Sequence, residues 1–143
     1  MQGPKVVTFL WFSGQQAEEA ARFYVSLLPD SRVLDSSPMA TTFELSGTRF
    51  VALNDNPAQN FTEAASLYID CEDQAEVDRL WAALTATGGQ PGRCGWLKDR
   101  FGVSWQVIPR RLPALLGKPK VLQAMLAMSK IDVAELERAA RGD

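Results

Sequence analysis

Cys94-Gly95-Trp96-Leu97-Lys98-Asp99-Arg100-Phe101-Gly102-Val103-Ser104-Trp105-Gln106-Val107-Ile108-Pro109 reads as two short strands around a tight turn. Asp99 to Gly102 supplies the turn chemistry, and β-branched or aromatic residues flank it on both sides. Pairing Lys98 with Ser104 leaves a short loop between the strands. Side chains alternate faces along a strand, so Leu97, Trp105 and Val107 then share one face, and Trp96, Lys98, Ser104 and Gln106 share the other. The first face is apolar core. The second combines indole, amine, hydroxyl and amide, the kind of surface that lines a small-molecule cup. A slip of one residue would exchange the two faces, so the site reading depends on this register.

The rest of the composition narrows the chemistry. The chain has 143 residues and no histidine. Histidine is the usual general base near neutral pH and the commonest ligand for transition metals, so Ser-His-Asp and Cys-His arrangements and imidazole metal sites are closed to it. No Asp-rich loop has the spacing of a calcium or magnesium site. The length suits one domain able to bury a real core, and 46% hydrophobic with 22% charged residues is ordinary for a soluble globular protein. A net charge of -2 and an isoelectric point near 5.2 argue against nucleic acid, which needs a basic stripe. No apolar run reaches membrane-spanning length. Met1-Gln2-Gly3-Pro4-Lys5 shows no signal-peptide pattern, and Cys71 and Cys94 form no zinc or redox spacing, so reduced thiols in a cytoplasmic protein are expected.

Outward from the hairpin, the chain repeats a plan. Val6 to Phe12 predicts a strand buried on both sides. Ser13 with Gln16 predicts a capping box, followed by a helix with Ala17, Ala20, Ala21, Tyr24 and Leu28 at helical spacing and a stop at Pro29-Asp30. Strands are expected at Arg32 to Asp35, Thr41 to Leu45 and Arg49 to Asn54, with Gly47 turning the last pair. Leu67 to Cys71 is again strand-like, Asp73 with Glu76 again predicts a capping box, and Val77, Leu80, Trp81 and Leu84 form the next helical stripe. The two helices align at an offset of about sixty residues, which calls for a repeat reading: Ala17 on Val77, Ala20 on Leu80, Ala21 on Trp81, Tyr24 on Leu84. Each half then reads as strand, helix and antiparallel strands, a βαβββ unit used twice. Gly88-Gly89-Gln90-Pro91-Gly92 follows a helix and reads as its stop and turn. After Pro109, Leu112 to Leu116, Val121 to Met128 and Val133 to Ala140 are helical in pattern, with Val121, Leu122, Met125 and Leu126 as a stripe that either docks on its own domain or meets a second subunit.

Phe9-Leu10-Trp11-Phe12-Ser13-Gly14, the Phe23-Tyr24 pair, Ala52-Leu53-Asn54, Cys94 to Pro109 and the tail from Met125 to Asp132 resemble the PhnB-like branch of the glyoxalase/bleomycin-resistance superfamily. The resemblance covers nearly the whole chain. It implies an α+β fold of paired βαβββ modules, each wrapping a mixed, mostly antiparallel sheet into a cup, usually in a homodimer. Module one would span about 5–56, module two about 65–109 and a helical tail about 112–141, all in one domain. Metal-dependent members of the superfamily place His or Glu on the first, fourth, fifth and eighth strands; here those positions fall on Val7 or Phe9, near Ala52, on Ser66 or a neighbour, and on Gln106. None of these is a competent divalent-metal ligand. The connection Ser36-Ser37-Pro38-Met39-Ala40 is shorter than its counterparts. Many PhnB-like chains also carry a methyltransferase label concerned with ubiquinone biosynthesis, yet this sequence has no Gly-rich strand-to-helix turn followed by an acidic residue to cradle an adenosine cofactor.

The candidate ligand-binding set is therefore Trp11, Asn54, Trp96, Lys98, Ser104 and Gln106, with no metal and no cofactor. Each has a plainer reading. A tryptophan is more often core than platform, Gln106 and Lys98 suit a solvated strand face, and Trp11 can face either way. Asn54 beside Asp55-Asn56-Pro57 suits turn chemistry, and its place in the set comes from the resemblance. Cys94 suits a small buried hydrophobe. Three functions follow: a metal-free small-molecule-binding protein, a metal-independent enzyme using Lys98, Cys94 or bound water, and a structural dimer with a vestigial cup.

Overall fold

A computed structural model describes residues 3–58 and 60–142; Met1 and Gln2 of the N-terminal segment lie outside them. The chain divides into two compact units, Met1–Gln59 and Asn60–Asp143.

In the first unit, β1 (Thr8–Trp11) leads to α1 (Ala17–Leu27), then β2 (Arg32–Ser36), β3 (Ala40–Leu45) and β4 (Thr48–Leu53). The sheet order is β1-β4-β3-β2, with β1 parallel to β4 and the other pairs antiparallel. In the second unit, β5 (Leu67–Cys71), α2 (Gln74–Thr85), β6 (Gln90–Pro91), β7 (Trp96–Lys98) and β8 (Ser104–Pro109) repeat that plan. Here the order is β5-β8-β7-β6, again with one parallel pair, β5 on β8. The βαβββ duplication is thus realised strand for strand.

The helices carry the repeat residue by residue. α1 buries Ala17, Ala20, Ala21 and Tyr24, and α2 buries Val77, Leu80, Trp81 and Leu84, the positions matched by the sixty-residue offset. The large α2 side chains each contribute about 1.5–3 kcal/mol of transfer free energy. The two cores divide their volume differently. Where α1 presents alanines, its sheet supplies the bulk: Phe43 stacks on its cross-strand partner Phe50 at 5.4 Å, and Tyr24 tilts against Phe43 at 6.2 Å. In the second unit both layers are bulky, the leucines and tryptophan of α2 meeting Trp105, Leu97 and Val107 of the sheet.

Three expectations are corrected. β1 is buried on one side only: Leu10 faces the core while Phe9 is 57% exposed, because α1 covers a single face of its sheet and Phe9 points to the other. The Ser13–Gln16 capping box does not form. α1 begins after Gln16 without a side-chain cap from its own end, and the Ala17 N–H donates instead to Asn54 Oδ1 at 2.9 Å. At α2 the expected cap is present, Asp73 Oδ1 accepting from the Glu76 N–H at 2.9 Å, with Glu76 reaching back to the Glu72 N–H. Finally, Gly88 to Gly92 is more than a stop and turn, since Gln90 and Pro91 pair with Lys98 and Leu97 as the edge strand β6. Proline is tolerated there because an edge strand leaves one row of N–H groups unpaired.

The tail forms α3 (Leu112–Leu115), α4 (Pro119–Leu126) and α5 (Val133–Ala140). Leu112, Val121, Ile131 and Leu136 close around Ile108 of β8 in a buried cluster, with Met125 partly buried against it. The tail therefore docks on its own unit, while Leu122 and Leu126 stay exposed. Main-chain bonds fasten it: Cys94 N–H to Met128 O at 3.0 Å and Gly95 N–H to Ser129 O at 2.9 Å. Gly95 is required there. Its φ is +86°, and an added Cβ would lie 2.6 Å from Ile108 Cδ1 and 3.1 Å from the Val107 carbonyl oxygen. Gln74 of α2 completes the attachment, donating to Ile131 O and accepting from the Val133 N–H. No helix among the described residues is long and apolar enough to cross a membrane.

Candidate functional site

The hairpin of the second unit has the register read from its alternation: Lys98 opposite Ser104, Leu97 opposite Trp105, Trp96 opposite Gln106. Leu97, Trp105 and Val107 are 0–2% exposed on the face that α2 covers. Trp96, Lys98, Ser104 and Gln106 share the opposite face, where Tyr68 of β5 joins Gln106 as its parallel neighbour and Ile108 dips into the tail cluster.

The turn is built by a residue whose reach does not show in a strand pattern. Asp99 is 3% exposed. Its Oδ1 accepts from the Phe101 and Val103 N–H groups at 2.9 and 3.1 Å, and its Oδ2 accepts from Trp105 Nε1–H at 2.8 Å. One carboxylate thus closes the loop and locks the rotamer of the core tryptophan beneath it. That fixes which side of the hairpin faces the helix and therefore which residues remain on the open face.

On that open face, Gln106 Nε2 donates to Ser66 Oγ at 3.0 Å. Lys98 Nζ pairs with Glu63 Oε1 at 3.2 Å, both side chains substantially exposed. Ser104 shares the register of this face but is 1% exposed, so it is covered and not open to a ligand, and its hydroxyl has no hydrogen-bond partner among the described residues. A cleft of about 190 Å³ opens at the β6–β7 edge, lined by Glu63, Gln90, Pro91, Gly92, Trp96 and Lys98 among others. Ser104 and Gln106 lie one strand further in, outside that lining. Tyr68, half exposed, has its phenol raised above the ordinary value by partial burial, then by the charge of Asp70.

Trp11 and Asn54 belong to the first unit, where they hold each other. Trp11 Nε1–H donates to the Asn54 carbonyl oxygen at 2.8 Å. The Asn54 amide caps α1 through Oδ1 and donates through Nδ2 to Pro38 O at 2.9 Å. It thereby pins the short Ser36–Ala40 connection to the helix start. Cys94, with φ +58°, lies in the turn before β7, its thiol directed at Met125 O at 3.5 Å. The Cys71 thiol is buried in the second unit and pushed up to about 12, by desolvation first and then by Glu76 and Asp70.

Glu63, Gln90 and Tyr68 were outside the candidate set. Tyr68 alternates with apolar neighbours along β5, and Gln90 sits opposite Lys98 in β6, so strand pairing carries a signal for both. Nothing in the sequence around Glu63 announces its approach to Lys98.

The residues do not fit the groups associated with this kind of fold and family. At the positions that the resemblance assigns to metal ligands, the second unit offers the Ser66 hydroxyl and the Gln106 amide, already bonded to each other, and the first unit has Val7 or Phe9 and the apolar stretch around Ala52. No group of three His, Cys, Asp or Glu side chains suited to a metal occurs among the described residues. An adenosine cofactor is no better served: at each helix start one N–H is already bonded to a side chain, Ala17 to Asn54 and Glu76 to Asp73, and the acidic Glu18, Glu19 and Glu76 in the first turns oppose an anion there.

Comparison with known proteins agrees with the topology. A family model described as 3-demethylubiquinone-9 3-methyltransferase matches residues 4–108. The PhnB protein from Bacillus cereus superposes with a TM-score of 0.67 at 33% identity, covering 74% of this chain and 99% of that one. Protein PA1353 from Pseudomonas aeruginosa superposes with a TM-score of 0.61 at 22% identity, over 75% of this chain and 98% of that one. A glyoxalase/bleomycin resistance protein from Albidiferax ferrireducens matches more loosely, at 17% identity and a TM-score of 0.48, over 68% and 94%. No curated protein matches. With its family match over most of its length and a PhnB relative one-third identical, the chain belongs to the PhnB-like family described as 3-demethylubiquinone-9 3-methyltransferases.

Proposed function

We propose that this chain is a metal-free small-molecule-binding protein that holds its ligand against the open face of the second sheet. The observation that carries the reading is the cleft of about 190 Å³ in which an indole, an amide and an ammonium converge, Trp96, Gln90 and Lys98. A concave site with an aromatic wall and a few polar groups is the usual form of a small-molecule pocket. Gln106 and Ser66 extend the polar surface inward along the same face. The donor chemistry favours binding without a divalent cation, which neither a neutral amide nor a hydroxyl repays for its lost water. In this reading the two modules act as one domain of a cytoplasmic homodimer, and the exposed Leu122 and Leu126 of α4 favour a partner surface.

Ligand-observed NMR with metabolite and antibiotic mixtures, followed by shifts of the Trp96 indole resonance, tests the binding claim. A ligand that moves Trp96 without being converted supports it. Conversion of that ligand would make the chain a metal-independent enzyme, and silence across the mixtures would leave a vestigial face. Elemental analysis of untagged protein tests the metal claim, which one tightly held zinc, iron, nickel or manganese per chain would sink. Light scattering at low micromolar concentration decides between monomer and dimer.

A further inference from the structure

We propose that the β6–β7 cleft selects a single-ring aromatic carboxylate, and that Glu63 acts as an internal competitor for the Lys98 ammonium which the ligand displaces. The inference rests on the cleft being the binding site and adds the chemical class of its ligand.

Size comes first. Cavities of about 150 Å³ accept benzene, so a cleft of about 190 Å³ takes one six-membered ring with one small substituent. A bicyclic or chain-bearing molecule would have to extend into solvent. The wall then sets the shape. Trp96 is half-buried and forms part of the lining, and an indole favours a planar ring offset or edge-on against it.

Charge decides the substituent. Among the described residues Lys98 is the one cation lining the cleft, and its Nζ is met by Glu63 Oε1 at 3.2 Å. The lysine is therefore already bound to a carboxylate inside the cleft. Glu63 comes from the segment before β5 and not from the sheet itself, and its side chain is 66% exposed. An exposed ion pair of this kind is weak, and a displaced Glu63 side chain regains full hydration. A ligand carboxylate repeats the same ammonium–carboxylate contact and adds ring burial against Trp96, which Glu63 cannot supply. The Gln90 amide, opposite Lys98 in β6, is a donor for the second carboxylate oxygen.

Benzoate, benzamide and cyclohexanecarboxylate separate the terms, titrated at fixed ionic strength into the intact chain and followed on the Trp96 indole resonance. Benzoate is expected to bind at least about five-fold more tightly than benzamide, and more tightly than cyclohexanecarboxylate. Glu63→Gln removes the competitor and is expected to tighten benzoate relative to benzamide about two- to five-fold, the ratio that a weak exposed pair corresponds to. Lys98→Gln is expected to abolish the preference for benzoate over benzamide. Both substitutions fall on exposed side chains, and unchanged melting temperatures verify the fold. Equal binding of benzoate and benzamide, or a Glu63→Gln variant with the wild-type preference for benzoate over benzamide, overturns the inference while leaving the cleft a binding site. Failure of all three probes to move Trp96 overturns the inference too, whereas the binding reading itself falls only if the wider mixtures are also silent.

Discussion

Replacing Asp99 by alanine should destabilise the second unit far more than an ordinary turn substitution. The carboxylate accepts three hydrogen bonds, from Phe101 N–H, Val103 N–H and Trp105 Nε1–H. Phe101 is half-buried, and water can replace its partner. Val103 and Trp105 are 3% and 1% exposed, so their donors have no such recourse. An orphaned buried donor costs about 1–3 kcal/mol, which puts Asp99→Ala at roughly 2–6 kcal/mol, a large share of the ~5–15 kcal/mol that holds a typical domain. Asp99→Asn keeps one acceptor for the turn but sets an amide N–H against the indole N–H or forces the reverse mismatch, for about 1–3 kcal/mol. Urea denaturation read by both tryptophan fluorescence and far-UV circular dichroism is the assay, because two compact units need not unfold as one transition. A double-mutant cycle with Trp105→Phe isolates the indole contact, with a coupling expected at about 1–3 kcal/mol. Asp99→Ala within about 1 kcal/mol of wild type, or a coupling near zero, would refute the role given to this carboxylate.

Other perturbations probe different parts. Gly95→Ala meets both a positive φ and a Cβ contact at 2.6 Å with Ile108, and should cost about 2–4 kcal/mol by denaturation; a loss under ~1 kcal/mol would mean the turn relaxes freely. Trp105→Ala should cost about 3–5 kcal/mol and Gln106→Ala at most ~1.5 kcal/mol, since the latter loses only its bond to Ser66; the reverse order would invert the assigned faces. Lys130 and Gln74 hold the Asp78 carboxyl below its ordinary 3.8. Its folded value is the depressed one, so the stability it adds is complete above 3.8 and lost as pH falls through the folded value. Acid unfolding of Asp78→Asn should lack that increment, and superimposable profiles would count against it. Cys71, at about 12, should resist iodoacetamide at pH 8 until the protein unfolds; rapid native labelling mapped to Cys71 by mass spectrometry would contradict its burial.

Short-range periodicity made much of this molecule legible. The helix stripes at Ala17 to Tyr24 and Val77 to Leu84, the strand from Leu67 to Cys71 and the Lys98–Ser104 register all follow from spacing within a dozen residues, and all four appear in the structure. What escaped the sequence depends on long-range partners. Ser13 has the chemistry of a cap, but Asn54 does the capping from 37 positions away, and a local motif cannot register a competitor that distant. Asp99 looks like turn punctuation because its decisive contact is to an indole whose orientation only the folded core defines. β6 was hidden by Gly88, Gly89, Pro91 and Gly92, whose turn propensity outweighs two residues of edge pairing. In the candidate site, alternation brought Trp96, Lys98, Ser104 and Gln106 onto one face. The cleft edge involving Glu63 and Gln90 needed the tertiary arrangement.

The stitching of Met128 and Ser129 to Cys94 and Gly95 has a consequence for the order in which the chain acquires structure. Every element of the first sheet is complete by Leu53, so that unit can collapse while later residues are still being added at the ribosome, N-terminal segments being the first to fold. The second unit has to wait. Its β7 turn leaves two main-chain donors unmatched until a segment more than thirty residues downstream arrives, and Ile108 stays uncovered until Val121, Ile131 and Leu136 close over it. Such late, long-separated contacts slow folding. A nascent chain halted just past Pro109 would hold all four strands of its second sheet, yet with Ile108 bare and the Cys94 and Gly95 N–H groups still waiting for their acceptors.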